Sequence, residues 1–167
     1  GCRPRARATT WNYDSYRGWL TNKGYPDGTG PSYTYSDAGR LKTRLWARGT
    51  NATYVYNNAG DLSATFYSDG MAGITNTFDR LGRTTSVTNG TSVCNYTFNI
   101  LGLMLAETNT SGVLSGLSVT NGYDQFLRRT NLAINPPLST INSAYGYDNA
   151  MWAKYGTTIL EGYGATE

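Results

Sequence analysis

The chain has 167 residues, one domain's length or a piece of something larger, with 14 basic and 11 acidic residues and a net charge of +3. That field is too weak to mark a nucleic-acid path, and no run of 18 apolar residues offers a membrane span. Leu, Ile, Val and Phe total only 28 residues, but 14 tyrosines and 20 glycines point to pleated, half-buried strands joined by turns: an all-β chain, not a disordered one.

Residues 1–10, "GCRPRARATT", are basic, lack an initiating Met and are followed by no apolar stretch, so no signal peptide is legible. They are expected to be a disordered or fragment end. The phrase "WNYDSYRGWL" at 11–20 then reads strand, turn, strand, with Tyr13, Asp14 and Gly18 at its centre. "GYPDGTGPSYTY" at 24–35 contains a Gly-Thr-Gly but leads into a strand, not a helix, so it is a loop and not a phosphate cradle. "YTYSDAGRL" at 33–41 follows, built on Tyr33, Tyr35, Ser36, Gly39, Arg40 and Leu41. It returns as "YVYNNAGDL" at 54–62, with Tyr54, Tyr56, Asn57, Gly60 and Leu62. It returns again as "NTFDRLGRT" at 76–84, with Phe78, Asp79, Gly82 and Arg83, and as "YTFNILGLM" at 96–104, with Phe98, Asn99 and Gly102. "NGYDQFLRR" at 121–129 and "YGYDNAMWA" at 145–153 keep Tyr123, Asp124, Tyr147 and Asp148 but lose the glycine.

Anchored on the second aromatic, the seven copies lie 22, 21, 22, 20, 25 and 24 residues apart. A second glycine follows the first after ten residues in three of them: Gly39 to Gly49, Gly60 to Gly70 and Gly102 to Gly112; Gly82 finds Gly90 after eight. Two turns per unit leave two strands, so each repeat is a β-hairpin. Residues 11–153 are thus about seven tandem hairpins of a long coiling sheet, and residues 154–167 a truncated continuation.

The turn chemistry follows from the residues. The position after the second aromatic reads Asp14, Ser36, Asn57, Asp79, Asn99, Asp124 and Asp148, each able to open a type I turn by bonding backbone two residues on. The glycine three later suits the positive φ of a G1 bulge. Leu127 and Met151, standing in for that glycine, predict different or poorly formed turns in the last two hairpins. In this register Tyr35 faces Leu41, Tyr33 faces Thr43, Tyr56 faces Leu62 and Tyr54 faces Ala64. Thr34, Ser36, Arg40, Lys42 and Arg44 fall on a wet opposite face, and Arg40, Arg83 and Arg128 read as solvated turn edges.

The recurring Tyr-x-Tyr-[Asp/Asn/Ser]-x-x-Gly-x-Leu phrase closely resembles the YD repeat of RHS-family proteins, across roughly residues 11–153. The resemblance implies a large secreted or surface protein whose repeats spiral into a hollow shell, in bacterial toxins around a C-terminal toxic domain released by aspartyl self-cleavage. The Asp-Pro-x-Gly motif of that cleavage core is missing here: Pro136-Pro137 is the one Pro pair and no Asp precedes it. What the resemblance implies for this chain is the wall: neighbouring repeats of the same longer chain as partners, an enclosed toxin domain beyond them, and an extracellular or cell-surface setting.

Little in the sequence suggests catalysis. With no His, Ser–His and Cys–His pairs and the commonest zinc sites fall away. Nearly every Asp is explained by a turn, and Glu107, Glu161 and Glu167 have no partner of evident spacing. No cofactor or metal ligand set is legible. Cys2 and Cys94 read as two unpaired thiols, and the sequons at Asn51, Asn89, Asn95 and Asn109 fit a chain rich in Asn, Ser and Thr. The competing reading is a carbohydrate or cell-wall binding repeat that takes surface glycans on its aromatics. Against it, Trp11, Trp19, Trp46 and Trp152 share no position in the repeat. Tyrosines exposed over shallow pockets would favour binding; tyrosines ranked along a continuous sheet would favour the wall.

Overall fold

The computed structural model describes residues 8–135, 140–147 and 153–161, and every regular element in them is a β-strand. Strand order in the sheet follows chain order from β1 to β14, all neighbours for which a register is defined pairing antiparallel. The chain divides into two compact units, one ending at Thr75 and one beginning at Asn76.

The first unit holds β1 (Thr10–Tyr13), β2 (Leu20–Gly24), β3 (Ser32–Tyr35), β4 (Leu41–Leu45), β5 (Asn51–Tyr56), β6 (Leu62–Tyr67) and the start of β7 (Ile74–Phe78). The second holds the rest of β7, then β8 (Thr84–Asn89), β9 (Ser92–Phe98), β10 (Met104–Ser111), β11 (Ser118–Tyr123), β12 (Arg129–Asn135), β13 (Thr140–Tyr147) and β14 (Ala153–Glu161). Every odd strand ends on the second aromatic of a motif: Tyr13, Tyr35, Tyr56, Phe78, Phe98, Tyr123 and Tyr147. The motif is therefore the tip of a hairpin, where strand gives way to turn.

The turns are built as their residue types require. The Ser36 N–H donates to the Arg40 carbonyl at 2.8 Å and the Gly39 N–H to the Ser36 carbonyl at 2.9 Å, with Gly39 at φ 80°. The same two bonds close the turns at Asn57, Asp79, Asn99 and Asp124. The first side chain adds further bonds: Asp79 Oδ1 accepts from Leu81 and Arg83 N–H, Asn99 Oδ1 from Leu101 and Leu103, and Asp124 Oδ1 from Phe126 and Arg128. At the first motif the extra residue lengthens the loop, and the Asp14 N–H reaches the Trp19 carbonyl at 2.7 Å.

One expectation about the turns is overturned. Leu127 adopts the glycine's conformation, φ 64°, and the Asp124 turn keeps both bonds at 3.0 Å. A left-handed leucine costs about 1–2 kcal/mol. The two amides on Asp124 Oδ1 and the Arg128 guanidinium 2.7 Å from Asp124 Oδ2 hold the turn in spite of it. Asp148 and Met151, in the seventh motif, lie outside the described residues.

The register also differs by one residue. Tyr35 pairs with Leu41 and Tyr56 with Leu62 as expected, but Tyr33 pairs with Arg44, not Thr43, and Tyr54 with Thr65, not Ala64. The cause is a bulge that slips the register between Thr34 and Tyr35 and between Val55 and Tyr56. Arg44 thereby moves from the wet face to the tyrosine face. On the opposite face Thr34 pairs with Thr43, their hydroxyls bonded to each other.

No large side chain is fully buried among the described residues; Ala52, Ala64, Ala133, Thr50 and Thr65 are the closest approach to a core. Tyr33, Tyr35, Tyr54 and Tyr56 are half-buried along neighbouring strands. Stability in such an array accumulates from packing between adjacent hairpins.

Candidate functional site

The contacts that join one hairpin to the next define what this repeat is built to do. In the first unit the β4–β5 ladder runs from Leu45↔Asn51 to Thr43↔Thr53 and stops, leaving the Leu41 carbonyl beyond its end. The Tyr56 hydroxyl donates to that carbonyl at 3.0 Å, and the Tyr35 hydroxyl likewise to Leu20 at 2.9 Å. The second unit repeats the device: Tyr123 donates to Met104 at 3.0 Å and Tyr147 to Arg129 at 2.6 Å. A carbonyl left unpaired away from water is costly, so this hydroxyl has a defined task. Burial, with Tyr33 nearby, pushes the Tyr35 phenol up. Tyr13, at the same position on β1, is 60% exposed.

A second contact comes from the residue just after the turn glycine. Arg40 places its guanidinium 5.7 Å from the Tyr56 ring centroid and against Gly60. Trp19 holds the corresponding position one hairpin earlier, its ring 5.0 Å from Tyr35 and packed on Gly39. In the second unit Arg83 lies 4.7 Å from Phe98 and donates to the Asn99 carbonyl at 3.4 Å, and Arg128 lies 4.6 Å from Tyr147. Arg83 and Arg128 are therefore half-buried and not solvated turn edges, whereas Arg40 is exposed at its turn as expected while lying against the next motif. Each lies against the aromatic of the following motif, and Gly60 and Gly102 leave room for Arg40 and Arg83.

Sequence reasoning missed this role, although a signal existed in the Gly-Arg pairs at 39–40 and 82–83 and in Arg128 after Leu127. Of the motif residues, Ser36, Asn57, Asp79, Asn99 and Asp124 open turns, and Gly18, Gly39, Gly60, Gly82 and Gly102 take positive φ. Leu41 and Leu62 sit opposite the second tyrosine.

The polar groups on offer are already engaged. Desolvation pushes the Asp79 carboxyl up, but the backbone N–H of Arg83, its guanidinium and the Leu81 N–H together hold it below the usual carboxylate range. Asp124 is held down in the same way by Arg128 and Phe126. Asp27, in the loop before β3, is lowered by the Thr29 hydroxyl and N–H. Cys94, unpaired, lies 3.5 Å from Glu107 on β10, and burial pushes its thiol up, away from a reactive thiolate. Tyr96 beside it is pushed up to about 12, first by its hydrogen bond with Cys94. Cys2 lies outside the described residues. No cluster of metal-ligating side chains occurs among the described residues, and no described helix is long and apolar enough to cross a membrane.

Neither a family model nor a curated protein matches the sequence. Solved structures do match the fold. A crystal structure of TcdB2-TccC3-Cdc42 superposes at a TM-score of 0.70 with 17% identity, over 91% of this chain and 9% of that one. A crystal structure of TcdB2-TccC3 superposes at 0.60 with 14% identity, over 91% of this chain and 10% of the other. The chain thus spans about a tenth of the length of the solved chains it matches. The chain, its hairpins following one another in chain order along an antiparallel sheet, shares the fold of that part of the TcdB2-TccC3 chains.

Proposed function

We propose that this chain is a structural, non-catalytic stretch of the wall of a larger secreted or surface protein of the RHS/YD type, which encloses or presents a domain encoded elsewhere. The observation that carries the reading is the tip-to-tip bonding. The hydroxyls of Tyr35, Tyr56, Tyr123 and Tyr147 and the guanidiniums of Arg40, Arg83 and Arg128 each reach the adjoining hairpin. Chemistry that links a repeat to its neighbour builds an extended surface. The acids that could have served catalysis hold turns instead.

The glycan-binding reading gains no support from the aromatic face. Stacking needs an open ring, and Tyr56, Trp19, Trp46 and Phe98 each have a cation over theirs. The test is protection. The full-length gene product is treated with protease, intact and after mild opening by denaturant. A segment that resists cleavage until opening is the expected result. Cleavage of every other domain at the same rate before and after opening would defeat the enclosure reading.

A further inference from the structure

The first unit carries ring-stacked cations without counterions; in the second the ring-stacked arginines are paired, while Arg80 and Arg129 have no carboxylate within salt-bridge distance among the described residues. Arg83 and Arg128 are each paired within their own turns, 2.6 Å and 2.7 Å from Asp79 and Asp124. In the first unit Arg17, Lys23, Arg40 and Arg44 have no carboxylate within salt-bridge distance among the described residues, and Arg48 reaches Asp69 only at 4.0 Å. The acids of that unit are committed to turns and loops. Asp14 takes the Tyr16 and Arg17 amides, Asp27 takes Thr29, Asp61 takes the Asn57 amide, Asp69 takes Thr50, and Asp37 sits at the exposed tip of the Ser36 turn.

These cations lie on the tyrosine face, each against a ring. Lys23 Nζ is 5.6 Å from Trp11 and 5.1 Å from Tyr25; Arg40 covers Tyr56; Arg44 lies 3.5 Å from the Trp46 centroid and 5.7 Å from Tyr33. Stacking pre-orients a guanidinium and leaves its N–H edge free for a planar acceptor. In addition, Arg44 Nε and Trp46 Nε1 are buried donors without an acceptor.

We infer that the tyrosine face of the first unit docks an acidic polypeptide segment. The charge on the face calls for an anion. Trp11, Tyr25, Tyr33, Trp46 and Tyr56 each already have a cation against the ring, which disfavours the stacking of a base or a sugar there. What the face offers is a row of guanidinium and ammonium donors, which carboxylate side chains match. This inference rests on the charges and rings of one unit and stands apart from the wall reading.

The experiment uses the full chain and a fluorescent glutamate dodecapeptide, followed by anisotropy at low salt, about 50 mM, and again at higher salt. Binding is expected that weakens with salt and falls at least about tenfold in R40Q/R44Q, the loss of two charge-assisted bonds. Arg80→Gln, which removes an exposed cation from the second unit, is expected to leave it unchanged. Lys23→Gln serves as a second site variant should R40Q/R44Q lose its circular dichroism spectrum. Three results would overturn the inference: no peptide binding at low salt, tighter binding of an oligo-dT strand or of polygalacturonate, or equal weakening by Arg80→Gln. Because protection of an enclosed domain reads neither charge nor this peptide, failure here leaves the wall reading to its own test.

Discussion

Replacing Arg83 by Met, Phe98 by Leu, and both together measures the contact that joins the hairpins on either side of it. Arg83 is 27% exposed in its side chain, lies 4.7 Å from the Phe98 centroid and 2.6 Å from Asp79 Oδ2. A partly desolvated cation–ring contact is worth about 0.5–1 kcal/mol. A partly exposed ion pair adds about 0.2–1 kcal/mol. Arg83→Met is therefore expected to cost about 1–2 kcal/mol, and the Arg83–Phe98 coupling to be about 0.5–1 kcal/mol. Because an array of repeats unfolds by neighbouring units, the assay is hydrogen exchange at the amides of the β8–β9 ladder, Ser86↔Asn95 to Asn89↔Ser92, alongside urea unfolding. Additive single costs, with coupling indistinguishable from zero, would refute the claim that this arginine ties one repeat to the next.

Tyr56→Phe removes the hydroxyl on the Leu41 carbonyl and is expected to cost about 1 kcal/mol by urea unfolding, with no cost if that carbonyl is satisfied by water. Gly60→Val meets a φ of 98° and drives a Cβ into the Arg40 guanidinium, so it should cost about 1–2 kcal/mol for the backbone plus the ring contact of Arg40. Gly49→Val, at φ 92° in open space, should show the backbone cost alone; equal losses at both would refute the Arg40 contribution. For acid stability, Asp79 and Asp124 have folded values below the ordinary 3.8. Their contribution is present above that value and lost as pH falls through the folded ones, so the thermal midpoint should drop below about pH 4. Asp79→Asn with Asp124→Asn keeps both turns, as Asn99 does naturally, and should flatten that drop; an unchanged pH profile would contradict the assignment.

The hairpin and its turn were legible because they depend on local chemistry. An Asx or Ser side chain and a left-handed position three residues later announce the turn wherever it occurs. The register was not legible: the bulge beside each tip adds a residue that no side chain marks, and it carried Arg44 onto the tyrosine face. Leu127 misled for the opposite reason. Its local preference was read correctly, but the Asp124–Arg128 pair outweighs it. The ties between repeats were hidden in plain view, since a Gly-Arg pair states its purpose only when the next repeat's ring lies beside it. Tyrosines that could have been ligand contacts proved to be donors to the neighbouring hairpin.

The most direct test of the wall reading is a cryo-EM reconstruction of the full-length gene product that contains this segment. The account predicts that residues 10–161 form consecutive strands of a continuous sheet bounding a closed interior, with Tyr35, Tyr56, Tyr123 and Tyr147 each bonded to the preceding hairpin. A segment found outside any enclosed volume, as a free-standing module with its tyrosines open to ligand, would contradict it.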